Sequence, residues 1–211
     1  MLYLTGASLL LKHFYKECIW KITTNENDIF LTFDDGPHPI ATPFVLEQLD
    51  LYNAKATFFC IGKNVTSEPE IYNSILEKGH AVGNHTDNHL NGWKTDDNIY
   101  LNDIAAAKEK IQSNLYRPPY GKITKFQLSL LKGKMKTIMW TRLTGDFDNE
   151  LSKDNCYLNA IKNPKPGNII VFHDSEKAYN NLKYALPRTL EFFSEKGYQF
   201  KKISFPHHDV Y

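Results

Sequence analysis

Two short patterns in this sequence contain side chains that could bind a metal ion or move a proton. His85 and His89 are four positions apart, and two carboxylates are adjacent at Asp34 and Asp35. On a helical turn, side chains four positions apart project to one face, and two imidazoles placed in this way commonly hold zinc or another divalent cation. Each pattern alone is weak, because histidine pairs are often solvated in loops and acidic turns before Gly-Pro are frequent. Together they indicate a metal site if the fold brings them to one place.

A catalytic zinc-type site needs three protein ligands and an open position for water. His85, His89 and one aspartate would supply the ligands. Successive residues leaving a strand diverge, so Asp34 and Asp35 are not expected to bind the same ion, and one of them is free to act as a base. Adjacent carboxylates repel, and one needs a cation to stay ionised at neutral pH. Arg117 is the candidate for that cation, although an arginine before a Pro-Pro turn is ordinarily a surface residue.

The elements that must position these residues alternate along the chain. Short apolar, β-branched or aromatic runs predict seven strands, at residues 29–33, 56–61, 80–82, a short piece ending near 117, 137–141, 168–172 and 198–203. Runs with apolar residues at helical spacing predict helices between them, at residues 43–52, 69–78, 98–113, 124–131, 154–161 and 182–196. Gly79 and Gly197 follow two of these helices, and Thr42 before Pro43 predicts the start of another.

The alternation of strands and helices argues for a parallel sheet, and the short returns favour an open, distorted (β/α) barrel with about seven strands. In such folds, ligands and catalytic groups gather at the carboxyl ends of the strands. Polar side chains follow five of the predicted strands, and they include the acidic pair, the histidine pair, Arg117, Asp146 and His173. We therefore expect these polar side chains to lie close together in one site.

The composition limits the class of protein. A chain of 211 residues suits one domain, and 42% hydrophobic residues supply a continuous core. The formal net charge of +1 lacks the excess of positive charge that is typical of proteins that bind nucleic acid or an anionic membrane. Three widely spaced cysteines exclude a disulfide framework, and the apolar run around Cys60 predicts a buried thiol.

The N-terminal apolar stretch of about ten residues is too short to span a bilayer. It also lacks the basic region and the cleavage site of a secretory signal. We expect residues 1–24 to pack on a domain formed by residues 25–205, with a tail at residues 206–211. A cytoplasmic location is the default expectation, and the class of substrate considered below makes the cell envelope the alternative.

Five segments, taken in chain order, resemble the five motifs of the polysaccharide deacetylases, the nodulation-deacetylase homology group known as carbohydrate esterase family 4. They are residues 32–37 (TFDDGP), 85–89 (HTDNH), 117–120 (RPPY), 146–147 (DF) and 171–173 (VFH). The resemblance implies a distorted seven-stranded (β/α) barrel, in agreement with the strand count above. It also implies metal-dependent hydrolysis of N- or O-acetyl groups on glycans such as chitin, peptidoglycan or xylan.

The resemblance implies roles for the metal and the base. Asp35, His85 and His89 match the metal ligands of the family, with zinc as the first expectation and cobalt, nickel or manganese as alternatives. Asp34 matches the general base, which removes a proton from the attacking water. Arg117 matches the residue that orients this base and balances its charge.

The resemblance also implies an acid, an oxyanion donor and an acetyl pocket. His173 matches the general acid, and Asp146 matches the carboxylate that orients this histidine and raises its pKa. The main-chain N–H of Tyr120 matches a donor to the oxyanion. The pocket residues that match are Phe147, where the family usually has Trp, Val171, where it usually has Leu, and Pro119.

The leading interpretation is a glycan deacetylase, a hydrolase of non-peptide carbon–nitrogen bonds with an acetylated glycan as its partner. A second enzyme on the same barrel would hydrolyse small amides or cyclic imides, but the complete set of metal ligands argues against it. A non-catalytic carbohydrate-binding relative is the third interpretation, and such a protein would be expected to lack Asp34 or His173. The sequence does not indicate the glycan, the acetyl position or the oligomeric state.

Overall fold

A curled sheet of parallel strands forms the centre of the molecule in a computed structural model that describes residue 6 and residues 9–205. The strands are β1 (Asp28–Asp34), β2 (Thr57–Cys60), β3 (Ala81–Asn84), β4 (Leu115–Tyr116), β5 (Lys136–Thr137), β6 (Arg142–Leu143), β7 (Ile169–His173) and β8 (Gln199–Phe200). Seven of them lie in the order β5-β4-β3-β2-β1-β7-β6, and β8 pairs separately with β1. The predicted (β/α) barrel with about seven strands is confirmed.

The helices connect these strands. They are α1 (Leu9–Phe14), α2 (Ala41–Leu51), α3 (Gly62–Ser67), α4 (Pro69–Glu77), α5 (Asp97–Lys110), α6 (Lys125–Leu131), α7 (Lys153–Ile161) and α8 (Tyr179–Glu195), with a 3₁₀ turn at Pro119–Gly121. All six predicted helices are present with ends that differ by a few residues. The short helices α1 and α3 were not predicted, because six residues are too few for a helical period to emerge.

Apolar side chains from both faces of the sheet form the core. Every residue of β1 is buried, as expected for a central parallel strand covered on both faces. Phe33 stacks on Phe58 at a centroid distance of 5.0 Å. Leu186 and Leu190 of α8 pack into the same cluster. These packed apolar side chains hold in place the strand ends that carry the polar residues of the predicted site.

The run at residues 137–141 was predicted to be one strand, and that prediction is wrong. The chain instead forms the two-residue strands β5 and β6, separated by residues 138–141. The carbonyl oxygens of Ile138 and Met139 accept hydrogen bonds from the Arg117 side chain. Where β5 ends, these two carbonyls thus bind a side chain.

The predicted start of α2 at Thr42 and Pro43 is also wrong. The helix begins at Ala41, and Nδ1 of His38 accepts hydrogen bonds from the main-chain N–H groups of Ile40 and Ala41. Thr42 therefore lies inside the first turn, and its hydroxyl contacts Asp174. The glycines expected after two helices do adopt left-handed backbone, with φ of 77° at Gly79 and 73° at Gly197.

The described part of the N-terminal segment lies beside the two ends of the curled sheet. The Ile19 N–H donates to the carbonyl of Thr137 at 2.8 Å, and the Ile19 carbonyl accepts from Met139 at 2.8 Å. Gly6 forms an antiparallel bridge with Arg142. The division at residues 24 and 205 stays a prediction, and residues 206–211 lie outside the described part of the chain.

Two sequence expectations about cysteines and membranes can be compared with the structure. Cys18, Cys60 and Cys156 are all free and buried. Cys60 is fully enclosed in the main core cluster, as its apolar neighbours predicted. Among the described residues, no helix has both the length and the apolar character required to cross a membrane.

Candidate active site

The end of β1 directs its two carboxylates to different partners. Asp34 is the last residue of the strand and is buried, and its Oδ1 accepts a hydrogen bond from Nη1 of Arg117 at 2.7 Å. Asp35 turns out of the strand with a φ of 80°, and its Oδ1 lies 3.1 Å from Nε2 of His89. The divergence expected from the sequence is therefore present, and its cause is the left-handed backbone at Asp35.

Arg117 is fully buried, whereas its place before Pro-Pro suggested a surface residue. Its Nη1 also donates to the hydroxyl of Thr32 at 2.8 Å, and its guanidinium carbon lies 4.1 Å from the centre of the Phe59 ring. With the two carbonyl acceptors described above, four protein groups fix the guanidinium. Burial lowers the pKa of Arg117, but the Asp34 carboxylate opposes this shift, so a buried ion pair results.

Asp35, His85 and His89 form a group whose ligand atoms all lie within 4.8 Å of one another. Oδ1 of Asp35 is 3.6 Å from Nε2 of His85, and this oxygen is buried without a hydrogen bond to any described residue. An unsatisfied buried carboxylate oxygen facing two imidazole nitrogens is what a divalent cation would complete. The donor set of one oxygen and two nitrogens fits a zinc-type ion.

The protonation state of His85 follows from its surroundings. Its Nδ1 lies 2.7 Å from the carbonyl oxygen of Arg117, which only accepts hydrogen bonds, so Nδ1 carries the proton. Burial lowers the pKa of His85 to about 4, against the opposing effect of the Asp34 charge. The imidazole is therefore neutral at pH 7, and Nε2 presents a lone pair toward Asp35 and His89.

The segment from His85 to His89 is a loop, so the helical turn proposed for it from the spacing is wrong. Thr86 and His89 have left-handed φ values of 61° and 57°. The Asp103 carboxylate of α5 accepts hydrogen bonds from the two main-chain amides in the middle of the loop. These contacts, rather than a helical repeat, bring the two rings to a centroid distance of 5.1 Å.

His173, the last residue of β7, forms a tight pair with the buried carboxylate of Asp146. Its Nδ1 lies 2.8 Å from Oδ1 of Asp146, and its main-chain N–H donates to Oδ2 at 2.7 Å. Burial alone would lower the pKa of the imidazole, but the Asp146 charge and hydrogen bond outweigh it and raise the pKa of His173 to about 9. The imidazole is therefore cationic at neutral pH.

The remaining predicted site residues lie around these groups. Tyr120 has a φ of 60°, and its exposed ring lies 4.6 Å from the ring of His89. Phe147 is edge-on to His173 at 5.0 Å. Pro119 and Val171 are buried, the latter within β7. The structure thus gathers the predicted residues at one end of the parallel sheet.

Four residues that support the site were not identified from the sequence. Asp174 is fully buried, and it accepts hydrogen bonds from the Gly36 N–H at 3.1 Å and from the hydroxyl of Thr42 at 2.5 Å. The others are Thr32, Asn64 and Asp103. Asp174 and Thr32 had a visible signal, because Asp174 directly follows His173 at a strand end and Thr32 begins the motif at residues 32–37. The partners of the other two are distant in sequence.

Comparison with known proteins shows that this chain is similar to deacetylases of glycans. The family model described as polysaccharide deacetylase matches residues 21–133. A Bacillus cereus peptidoglycan-N-acetylglucosamine deacetylase is 34% identical over 88% of this chain and 90% of the relative. An Azorhizobium caulinodans chitooligosaccharide deacetylase is 33% identical over 73% of this chain and 77% of its own. A crystal structure of a peptidoglycan N-acetylglucosamine deacetylase superposes with a TM-score of 0.85 at 29% identity, covering 93% of this chain and 95% of that one.

Proposed function

This chain belongs to the polysaccharide deacetylase family, carbohydrate esterase family 4, and from that membership we propose that it removes N-acetyl groups from the amino sugars of peptidoglycan. Its class is that of a metal-dependent glycan deacetylase. The observation that carries the proposal is the meeting of three separate groups at one sheet end: the Asp35, His85 and His89 cluster, the Asp34–Arg117 pair and the His173–Asp146 pair.

Asp35, His85 and His89 would hold the metal ion, and zinc suits their donor atoms best. A bound divalent cation supplies Lewis acidity, which polarises the acetyl carbonyl and acidifies the attacking water. The chain contributes the geometry, because the Arg117 carbonyl fixes the tautomer of His85 and directs its free nitrogen toward the other two ligands. Cobalt, nickel and manganese are the alternatives that the same donors accept.

Asp34 would act as the general base that removes a proton from the water. One oxygen of its carboxylate accepts a hydrogen bond from Nη1 of Arg117 at 2.7 Å, which leaves the other oxygen to accept the proton. The four contacts that fix Arg117 also fix the direction of the carboxylate. A base held in one direction in this way would be positioned to accept the proton, which supports the proposed role.

His173 would act as the general acid for the leaving amine. An amine departs poorly as an anion, so the nitrogen must receive a proton as the carbon–nitrogen bond breaks. The proximity of Asp146 keeps the imidazole protonated at neutral pH, and the Nδ1 contact leaves Nε2 as the donor toward substrate. Because the pKa of His173 is raised, its imidazole would already carry the proton when the substrate binds.

The main-chain N–H of Tyr120 would donate to the developing oxyanion, and Phe147, Val171 and Pro119 would line the pocket of the acetyl methyl group. The left-handed backbone of Tyr120 and its contact with His89 bring this residue beside the metal ligands. Phe147 contacts the ring of His173 in a T-shaped arrangement with the ring centroids 5.0 Å apart, which brings it beside the proposed acid.

Peptidoglycan lies outside the cytoplasmic membrane, so a role in the cell envelope follows from this substrate. The two relatives described above are named as deacetylases of peptidoglycan N-acetylglucosamine and of chitooligosaccharides, and the first of them supports peptidoglycan as the substrate. The small-amide and non-catalytic interpretations are less well supported, since the ligand group is complete and both Asp34 and His173 are present.

Acetate release tests the proposal directly. The zinc-loaded protein is incubated with peptidoglycan fragments, chitin oligomers and acetylated xylan, before and after removal of metal by a chelator. We expect release from the two N-acetyl substrates, greatest for peptidoglycan, with loss on chelation and recovery on adding zinc. Failure to release acetate from any glycan, with zinc bound, would favour the non-catalytic interpretation.

A further inference from the structure

The backbone of Asp35 is an unfavourable conformation held in place by its neighbours. A φ of 80° is rare for a residue with a Cβ atom, because the side chain then crowds the following carbonyl. Such conformations persist only where the surrounding structure determines them. The direction of the Asp35 carboxylate depends on this backbone, so whatever fixes the backbone also fixes the carboxylate.

Three polar backbone groups of the residues on either side of Asp35 are engaged. The Asp34 carbonyl accepts a hydrogen bond from the N–H of Asp174, and the Gly36 N–H donates to the Asp174 carboxylate. The Gly36 carbonyl accepts from the N–H of Ile61. These contacts bracket Asp35 on both sides but leave its own carbonyl oxygen to be satisfied by another group.

Asn64 provides that group from α3. Its side-chain Nδ2 donates to the Asp35 carbonyl at 2.8 Å across 29 positions of sequence. In the same helix, the N–H of Gly62 donates to the Thr86 carbonyl at 3.0 Å, and the N–H of Lys63 donates to a carbonyl in the same histidine loop at 3.1 Å. The short helix α3 thus contacts both segments that carry the metal-binding side chains.

We propose that Asn64 is a positioning residue for Asp35, whose amide holds the left-handed backbone and so sets the distance between this carboxylate and the two histidines. This inference rests on the proposed metal site. Asn64 does not touch the metal or the substrate in this role. It lowers the cost of assembling the ligands, because α3 fixes Asp35 relative to the loop of His85 and His89 before an ion arrives.

Zinc affinity of the metal-free protein measures this role without reference to catalysis. Asn64→Ala removes the donor and favours the helix, so the fold should be retained. We expect the zinc Kd, measured by competition with a chromophoric chelator, to rise about 10-fold or more, as for other groups that orient a ligand. At saturating zinc, kcat should recover to within a few-fold of the wild-type value, since the ion itself then orders the loop.

Ser67→Ala is the matched control. Ser67 lies on the same helix and donates its hydroxyl to the Lys63 carbonyl at 3.1 Å, and among the described residues its side chain forms no hydrogen bond to the Asp35 loop. This control should bind zinc as the wild type does, and both variants should unfold at similar temperatures. If Asn64→Ala fails to fold, Asn64→Leu gives the same comparison with a side chain closer in size and likewise without a donor.

Asp35→Ala separates this inference from the proposed function. If Asp35→Ala loses zinc while the folded Asn64 variant keeps the wild-type Kd, the positioning role is wrong and the metal site stands. If Asp35→Ala binds zinc as tightly as the wild type, the metal site itself is wrong and the inference is overturned with it. Weakened binding in both variants, with an unchanged Ser67→Ala, supports the role of Asn64.

Discussion

Asp34 and His173 are direct register partners across the parallel pair of β1 and β7. Paired residues on adjacent parallel strands project to the same face of the sheet. The proposed base and the proposed acid therefore extend from neighbouring strand ends in the same direction, one fixed by Arg117 and the other by Asp146. Amide hydrolysis requires one proton to be removed and another to be delivered, and this register provides adjacent groups for both transfers.

Replacing Asp34 and Asp35 separately should distinguish a base from a ligand. Asp34→Asn keeps the shape of the side chain but removes the proton acceptor, so kcat should fall about 10²–10⁴-fold with little change in zinc affinity. Asp35→Asn should instead weaken zinc binding. Asp50→Asn, at an exposed carboxylate on α2, is the matched control and should change neither quantity. Loss of zinc in the Asp34 variant alone would reverse the two assignments.

His173→Gln should impair substrates according to their leaving groups. An N-acetyl glycan needs a proton on its leaving amine, whereas an activated aryl acetate releases a stable anion without one. The ratio of kcat/KM for the two substrates should therefore fall strongly in this variant and less strongly in Asp146→Asn. Equal losses on both substrates would instead identify His173 as a structural or positioning group.

The alkaline limb of the pH–rate profile should depend on Asp146. The acid is active when protonated, and Asp146 raises the pKa of His173 to about 9, so activity should persist above neutral pH and be lost as pH rises through this pKa. Asp146→Asn removes the stabilising charge, and the limb should move to lower pH. Profiles of kcat/KM for the wild type and Asp146→Asn check this shift, and coincident limbs would contradict it.

The same pair should make stability depend on pH in the metal-free protein. Because the folded-state pKa of His173 lies above its unfolded value of 6.5, the stabilisation is fully present below pH 6.5 and is lost as pH rises through about 9. It amounts to at most about 3 kcal/mol. Urea unfolding of the wild type and His173→Gln across this range should show the wild-type advantage shrinking with rising pH. A constant difference would exclude the linkage.

Arg117→Lys should be costly although it keeps the charge. Lysine cannot reproduce the planar set of contacts to Thr32, Asp34 and two carbonyl groups. Leaving parts of a buried ion-pair network unsatisfied should reduce the free energy of unfolding by about 3–5 kcal/mol. The exposed Arg188→Lys, which changes a hydrogen bond to the Tyr184 carbonyl and a stacking contact with the Tyr184 ring, should stay within about 0.5 kcal/mol of the wild type. Denaturant unfolding of both variants provides the measurement.

Much of the fold and the identity of the site residues could be predicted from the sequence, because the apolar runs that form strands are visible in short stretches of chain. The runs before Asp34 and His173 are apolar, and parallel strands leave polar residues at one common edge, so convergence could be predicted. The family motifs then suggested a role for each residue. The broken strand at residues 137–141 could not be predicted, because the side chain that binds its carbonyls, that of Arg117, comes from another strand end.

The geometry within the site could not be derived from sequence for a related reason. The left-handed backbones of Asp35, Thr86 and His89 contradict local preference, and they lie beside hydrogen bonds that Asn64 donates and that the Asp103 carboxylate accepts. Such partners are brought close only after the chain has folded. The spacing of the histidines correctly indicated a pair but implied a helix, since a four-residue interval has the same appearance in a tight loop.

The contacts of Ile19 with residues 137 and 139, and of Gly6 with Arg142, have a consequence for self-association. A sheet that curls without closing presents unpaired N–H and C=O groups at its terminal strands, and such edges are templates for pairing with another molecule. Here the described residues of the N-terminal segment pair with Thr137 of β5 and with Arg142 of β6, the two terminal strands of the seven-strand order. The chain thereby occupies positions at which a second copy could extend the sheet, and this intramolecular cover opposes edge-to-edge aggregation.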